Sequence, residues 1–124
     1  MDIYGSVSFE DFYATLKSKF AKEINLTYFQ SNIEGEIINF IHTQPFDAAI
    51  INGGGYSHSS VAIADAIAAI IKPFINIHIS NIYNREIERH IDLLSKYCKA
   101  GMYGLGLESY DYAVQYLINY LKKL

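Results

Sequence analysis

Cysteine, arginine and unbroken apolar sequence are all scarce in this chain, and each scarcity excludes something. The single cysteine, Cys98, leaves no internal disulfide, and no charged segment followed by an apolar stretch opens the sequence, so a reducing cytoplasm is the expected setting. The longest apolar run, Ile67 to Ile71 extended by Pro73 to Ile75, is broken by Lys72 and is too short to cross a bilayer. No membrane partner is expected. With 10 basic against 13 acidic residues the net charge is −3, which offers no field for a polyanion and argues against nucleic acid. Gly53-Gly54-Gly55 is similar to a phosphate cradle, but GxGxxG and GKS or GKT are absent, so flavin or nucleotide binding lacks its phosphate loop. Beside His58 and His78 no carboxylate or cysteine stands at ligand spacing, so no metal is expected.

What is present is a chain of 124 residues with 51% hydrophobic content, read as one domain over 1–124 with a single core. Only two arginines stand against eleven tyrosines, an apolar balance that hints at self-association. Ser8 with Asp11, followed by Phe9, Phe12, Leu16 and Phe20 at helical spacing, predicts an amphipathic helix over 8–22. Residues 25–30 (NLTYFQ) form a short β-favouring run, and Ser31-Asn32 opens a helix with the stripe Ile37, Ile38, Ile41. A continuous apolar strand follows at 47–52, an Ala/Ile helix at 59–71, and a strand at 74–79 cleared by Pro73. A short helix from Arg85, a strand near 102–105 and a helix over about 109–123 complete the reading. This alternation predicts an α/β doubly wound parallel sheet, with ligands bound beyond the carboxyl ends of the strands.

The polar residues at those ends are Gln30 to Asn32, Asn52 to Ser60, and His78 to Asn81 with Arg85 and Arg89. His58 lies in a Gly/Ser turn before a helix and is either a substrate donor or a solvated capping residue. His78 interrupts an apolar strand and is either catalytic or a satisfied core histidine. Arg85 and Arg89, four apart, share a helix face suited to an oxyanion or a polyhydroxylated ring; the alternative is surface pairing with Glu86, Glu88 or Asp92. Asp65, on a buried-looking helix face, is either a paired core carboxylate or a group offered across a subunit interface. Tyr4, taken alone, reads as a surface tyrosine.

Together these words resemble the type II dehydroquinases: Ile3-Tyr4-Gly5, Gln30-Ser31-Asn32 with Glu34-Gly35-Glu36, Ile51-Asn52 leading to Ser57-His58-Ser59-Ser60-Val61-Ala62 and Asp65-Ala66, Ile77-His78-Ile79-Ser80-Asn81 with Arg85-Glu86, and Gly104-Leu105-Gly106 with Tyr110. The resemblance implies a flavodoxin-like domain, assembled as a dodecamer of trimers, that dehydrates 3-dehydroquinate to 3-dehydroshikimate in the shikimate pathway without metal, nucleotide or Schiff-base lysine. It implies Tyr4 as the base and His78 as the general acid. Asn52 with the N–H groups of Ile79 and Ser80 would hold the substrate carboxylate, and His58 and Arg89 its ring hydroxyls. Arg85 would support the site, and Asp65 would reach a neighbouring subunit's site.

Two departures shape the expectations. The family's first strand, ending in GPNLN, and a lid arginine have no counterpart before Tyr4, so the first strand is expected to be missing and the phenol to lack activation. Asn76 stands where the family usually has a glutamate that orients and charges the acid; asparagine can accept an imidazole hydrogen bond but supplies no charge. The chain as given is therefore expected to turn over slowly. The alternative is a non-catalytic relative that binds ligand or assembles with other subunits.

Overall fold

The computed structural model describes residues 8–124. Helix α1 spans Phe9–Lys19 and opens where the Ser8 hydroxyl accepts the Asp11 N–H at 3.2 Å. Helix α2 spans Glu34–Thr43, β1 Ala49–Ile51, α3 Val61–Ala68, β2 Phe74–His78, β3 Ala100–Tyr103 and α4 Glu108–Lys122. Short 3₁₀ turns at Gly54–His58, Ile82–Asn84, Ile87–Arg89 and Ser95–Tyr97 lie in the connections. The strands form a parallel sheet in the order β1-β2-β3, with Ile51 opposite Asn76 and His78 opposite Tyr103.

Every residue of β2 is buried, because it is the middle strand and helices cover both sheet faces. Ile75 and Ile77 pack with Ala113 and Leu117 of α4, and α1 joins that side through Leu16 and Phe20 against Val114 and Ile118. Phe74 packs on the other side with Ile41 of α2 and Ile63, Ala64, Ala66 and Ile67 of α3. Side chains two apart on a strand share a face, so Asn76 and His78 follow Phe74 toward the α2/α3 side. This alternation sends two polar residues into an otherwise apolar layer. Their polar partner has to come from a loop.

Three expectations need correction. Residues 25–30 form no strand: a β-favouring run needs a ladder partner, and none is found among the described residues. Instead Ile24 and Leu26 pack on the α1/α4 cluster, Tyr13 donates to the Leu26 carbonyl at 2.9 Å, and Phe29 stacks on Phe40. No helix runs on from Arg85: Arg85 caps the 3₁₀ turn at Ile82–Asn84 and Arg89 ends a separate one at Ile87–Arg89, so the two do not share a helix face. Asp65 is exposed, because Ile63, Ala64, Ala66 and Ile67 already define the buried stripe of α3 and position 65 turns outward with Val61, Ala62 and Ala68. The core-carboxylate reading of Asp65 therefore fails. Among the described residues no helix is long and apolar enough to cross a membrane.

Candidate active site

The carboxyl edge of the sheet is built by glycines and by loop-to-loop hydrogen bonds. Gly53 ends β1's extension where a Cβ would come within 2.7 Å of Ser57 Oγ and 2.8 Å of Leu94 Cδ1, so the turn can fold close only without a side chain there. The next turn is tied across by the Leu93 N–H donating to the Ser57 carbonyl at 2.7 Å. After β3, Gly104 (φ 84°) and Gly106 (φ 64°) donate to the carbonyls of His78 and Ile79 at 3.1 and 3.0 Å. Both need the left-handed backbone that glycine adopts freely. The result is a rigid rim around the end of β2.

The structure brings His58 and His78 together at that rim. Their rings lie nearly parallel, with centroids 5.9 Å apart and planes 19° apart. His58 Nδ1 lies 2.6 Å from the Ile91 carbonyl. A carbonyl only accepts, so Nδ1 carries the proton and Nε2 is left for another partner. His78 Nε2 lies 2.6 Å from Asp92 Oδ2, and both side chains are only 9% exposed. Facing a carboxylate, Nε2 must be the protonated nitrogen.

Asp92, in the loop between the turns at Ile87–Arg89 and Ser95–Tyr97, is the member of this cluster that the sequence reading took only as a surface partner for arginine. Its Oδ2 also accepts from Asn76 Nδ2 at 2.6 Å, and its Oδ1 accepts the N–H groups of Leu94 and Ser95 at 2.9 and 3.3 Å. Burial pushes this carboxyl up, but the hydrogen bonds from His78, Leu94 and Asn76 outweigh that and hold it below the usual carboxylate range. The expectation that His78 lacks a charged partner is therefore corrected: Asn76 does not replace the missing carboxylate but donates to one supplied from elsewhere. Asn76 Oδ1 is buried without a partner. Reversing the amide would aim that oxygen at Asp92, so the carboxylate fixes its orientation at the cost of one unmet acceptor. The neighbouring thiol of Cys98 is pushed up to about 12 by burial and then by the charge of Asp92.

Because Asp92 is more acidic folded than unfolded, the stability it lends is present above the ordinary carboxylate range and disappears as pH falls through the folded value. Thermal melts are expected to show a midpoint that drops below about pH 4, and Asp92→Asn should flatten part of that drop. An unchanged acid limb in the variant would show that Asp92 is not a principal contributor.

The other expected site residues are less tightly gathered. Asn52 lies one residue past the Ile51–Asn76 register pair; its Nδ2 donates to the Tyr110 hydroxyl at 3.1 Å and its Oδ1 accepts the Gly54 N–H at 3.1 Å. Ile79 and Ser80 directly follow His78 at the rim. Arg89 Nε donates to Glu86 Oε1 at 3.0 Å in an exposed pair, while the turn that carries it packs beside the turn of His58. Arg85 is exposed, and its carbonyl lies 2.9 Å from His90 Nε2. Tyr4 lies outside the described residues. Among the described residues no group of three His, Cys, Asp or Glu could hold a metal. Two surface clefts of about 480 and 420 Å³ lie at the opposite, amino end of the sheet around Asp47 and Lys72. They hold no converging donors comparable to the His58, His78 and Asp92 group, which makes the carboxyl edge the candidate site.

Comparison with known proteins points to one family. The Dehydroquinase class II family model matches residues 1–118. The 3-dehydroquinate dehydratase of Fusobacterium nucleatum is 43% identical over 128 residues, covering 98% of this chain and 87% of that protein. That of an Exiguobacterium species is 40% identical over 120 residues, covering 96% and 83%. The crystal structure of type II dehydroquinase from Propionibacterium acnes superposes with a TM-score of 0.87 at 32% identity, covering 94% of this chain and 82% of that one. The type II dehydroquinase from Butyrivibrio crossotus gives 0.86 at 35% identity, covering 94% and 83%.

Proposed function

Because the chain belongs to the class II dehydroquinase family, we propose that it catalyses the loss of water from 3-dehydroquinate to give 3-dehydroshikimate. The observation that carries this reading is the buried His78, held by Asp92 at 2.6 Å and stacked on His58 where β2 ends. A proton beside a ketone is weakly acidic, so elimination needs a base to form an enolate and an acid to protonate the departing hydroxyl. His78 is the acid. Its Nε2–H is committed to Asp92, so the proton it delivers comes from Nδ1 of the doubly protonated ring. Tyr4 is the base in this reading.

The remaining roles are those that the resemblance implies. Asn52 and the amides of Ile79 and Ser80 hold the substrate carboxylate beside the strand ends. His58, with Nδ1 fixed by Ile91, offers Nε2 to a ring hydroxyl. Arg89 takes another; its pair with Glu86 is exposed, and an ion pair of that kind yields readily. Arg85 supports the loop. The test is an absorbance assay for the conjugated enone product. Appearance of product with the purified chain supports the reading, whereas tight ligand binding without product would favour a non-catalytic subunit and overturn it.

Self-association belongs to the same proposal. The outward face of α3 presents Val61, Ala62, Asp65 and Ala68, an apolar surface with a single carboxylate. A carboxylate there suits contact with a neighbouring subunit's site in a trimer-based dodecamer. Light scattering should give a mass several times 14.1 kDa, and Asp65→Lys should lower it. A monodisperse monomer would remove this part of the proposal.

A further inference from the structure

We propose that Asp92 is the positioning residue of the proton-transfer step, keeping Nε2 of His78 protonated and the ring oriented so that Nδ1 is the nitrogen that gains and delivers the transferred proton. The inference rests on the dehydratase reading above and assigns to a loop carboxylate a task that the strand cannot perform with Asn76. Asp92 Oδ2 accepts from both His78 Nε2 and Asn76 Nδ2 at 2.6 Å, while its Oδ1 is tied to the backbone of Leu94 and Ser95. Four donors therefore converge on one carboxylate, which is anchored at both oxygens before it meets the histidine. Asn76 contributes by donating to that anion, and its own carbonyl oxygen is left buried and unpaired. That arrangement is wasteful for a structural amide but suits one whose task is to fix a carboxylate.

The groups facing the His78–Asp92 pair are few. His58 stacks from the turn after β1, and Cys98 approaches from beside β3 with its thiol held protonated by burial and by Asp92. Among the described residues no lysine or arginine pairs with Asp92, so the His78 imidazole is the one basic side chain on it. In the elimination, the enolate electron pair forms the new carbon–carbon double bond as the carbon–oxygen bond breaks. The proton on Nδ1 passes to the departing oxygen and water leaves. His78 ends neutral with Nε2–H still on Asp92, and Asp92 takes no proton.

The test uses the full chain, with Asp92→Asn, Asp92→Ser and the exchange Asp92→Ser with Asn76→Glu. Loss of a carboxylate that orients a catalytic histidine lowers kcat by roughly 10- to 10⁴-fold. Asp92→Asn should lower kcat in that range and leave KM within about threefold, because ground-state binding does not pass through Asp92. The exchange should recover most of what Asp92→Ser loses, since it returns a carboxylate to the same imidazole from the neighbouring strand position. Nitrogen-15 NMR of the histidine ring in the resting protein should show Nε2 protonated in the unsubstituted chain, and protonation moving toward Nδ1 in Asp92→Asn. An unprotonated Nε2 in the unsubstituted chain overturns the proposal even if every variant misfolds. So does a kcat for Asp92→Asn within about threefold of the parent, or an exchange variant that is folded by thermal melting yet recovers nothing. If the unsubstituted chain makes no enone, the dehydratase reading falls by itself, and the NMR result still decides whether Asp92 sets the tautomer.

Discussion

Replacing His78 with alanine is expected to lower kcat for 3-dehydroquinate by roughly 10²- to 10⁴-fold, the range over which a positioned acid accelerates proton transfer. Expelling hydroxide without a proton is slow, and no other described group stands where it could substitute: His58 is fixed through Nδ1 to Ile91 with its ring stacked against the same face. KM should move much less than kcat, because the proton is needed only as the carbon–oxygen bond breaks. Alanine also strips Asp92 of one of its four donors, an effect on the order of 1–3 kcal/mol in stability. For that reason His78→Asn should be measured beside it: asparagine can still donate to Asp92 but cannot act as the acid. A loss in both variants assigns the effect to proton transfer. Less than a tenfold fall in kcat for His78→Asn would sink His78 as the acid.

The second large effect is on stability. Phe74→Ala is expected to cost about 3–5 kcal/mol. Phe74 is 2% exposed, sits edge-on to Phe46 at 5.7 Å, and fills the layer between the sheet and Ile41, Ile63 and Ile67. It also begins the strand on which Asn76 and His78 stand, and its carbonyl accepts the Lys99 N–H at 2.8 Å at the start of the β2–β3 ladder. The surrounding helices are anchored on several other contacts and can collapse into the hole only in part. With a slope of about 1–3 kcal/mol per molar urea, the midpoint should fall by more than about 1 M. A shift under a third of that would mean that the α2/α3 layer relaxes freely and that Phe74 is not central to it.

The helices and the three strands were legible because their signals are local. The Phe9, Phe12, Leu16, Phe20 spacing, the Ser8 cap and the apolar run into His78 each specify structure without reference to distant residues. Residues 25–30 were misread for the opposite reason: extended backbone becomes a strand only by pairing, and its side chains here found better use against α1 and α2. The Arg85–Arg89 spacing fits a helix, yet Asn81 caps a 3₁₀ turn instead, accepting the Tyr83 N–H at 3.0 Å, and Arg89 closes onto Glu86. His78 and Asn76 were readable as a site short of a charge, but the charge itself was not. Asp92 lies sixteen residues beyond Asn76 in sequence, and only the fold of the intervening loop brings the two side chains to 2.6 Å. A buried asparagine beside a buried histidine was the available clue, since both call for an anion.

Cys98 gives the region around Asp92 a built-in chemical clock. Its thiol, at about 12, is almost wholly protonated at pH 8, and the thiolate is the species that alkylating reagents attack. Its reactive fraction is thus far below that of an unperturbed cysteine. Alkylation should therefore proceed mainly through moments when the segment around Leu94 and Cys98 lifts away from α3 and releases the thiol from burial and from the charge of Asp92. The rate of labelling at this one cysteine would then count openings of the loop that carries the carboxylate, in native buffer and without a substrate.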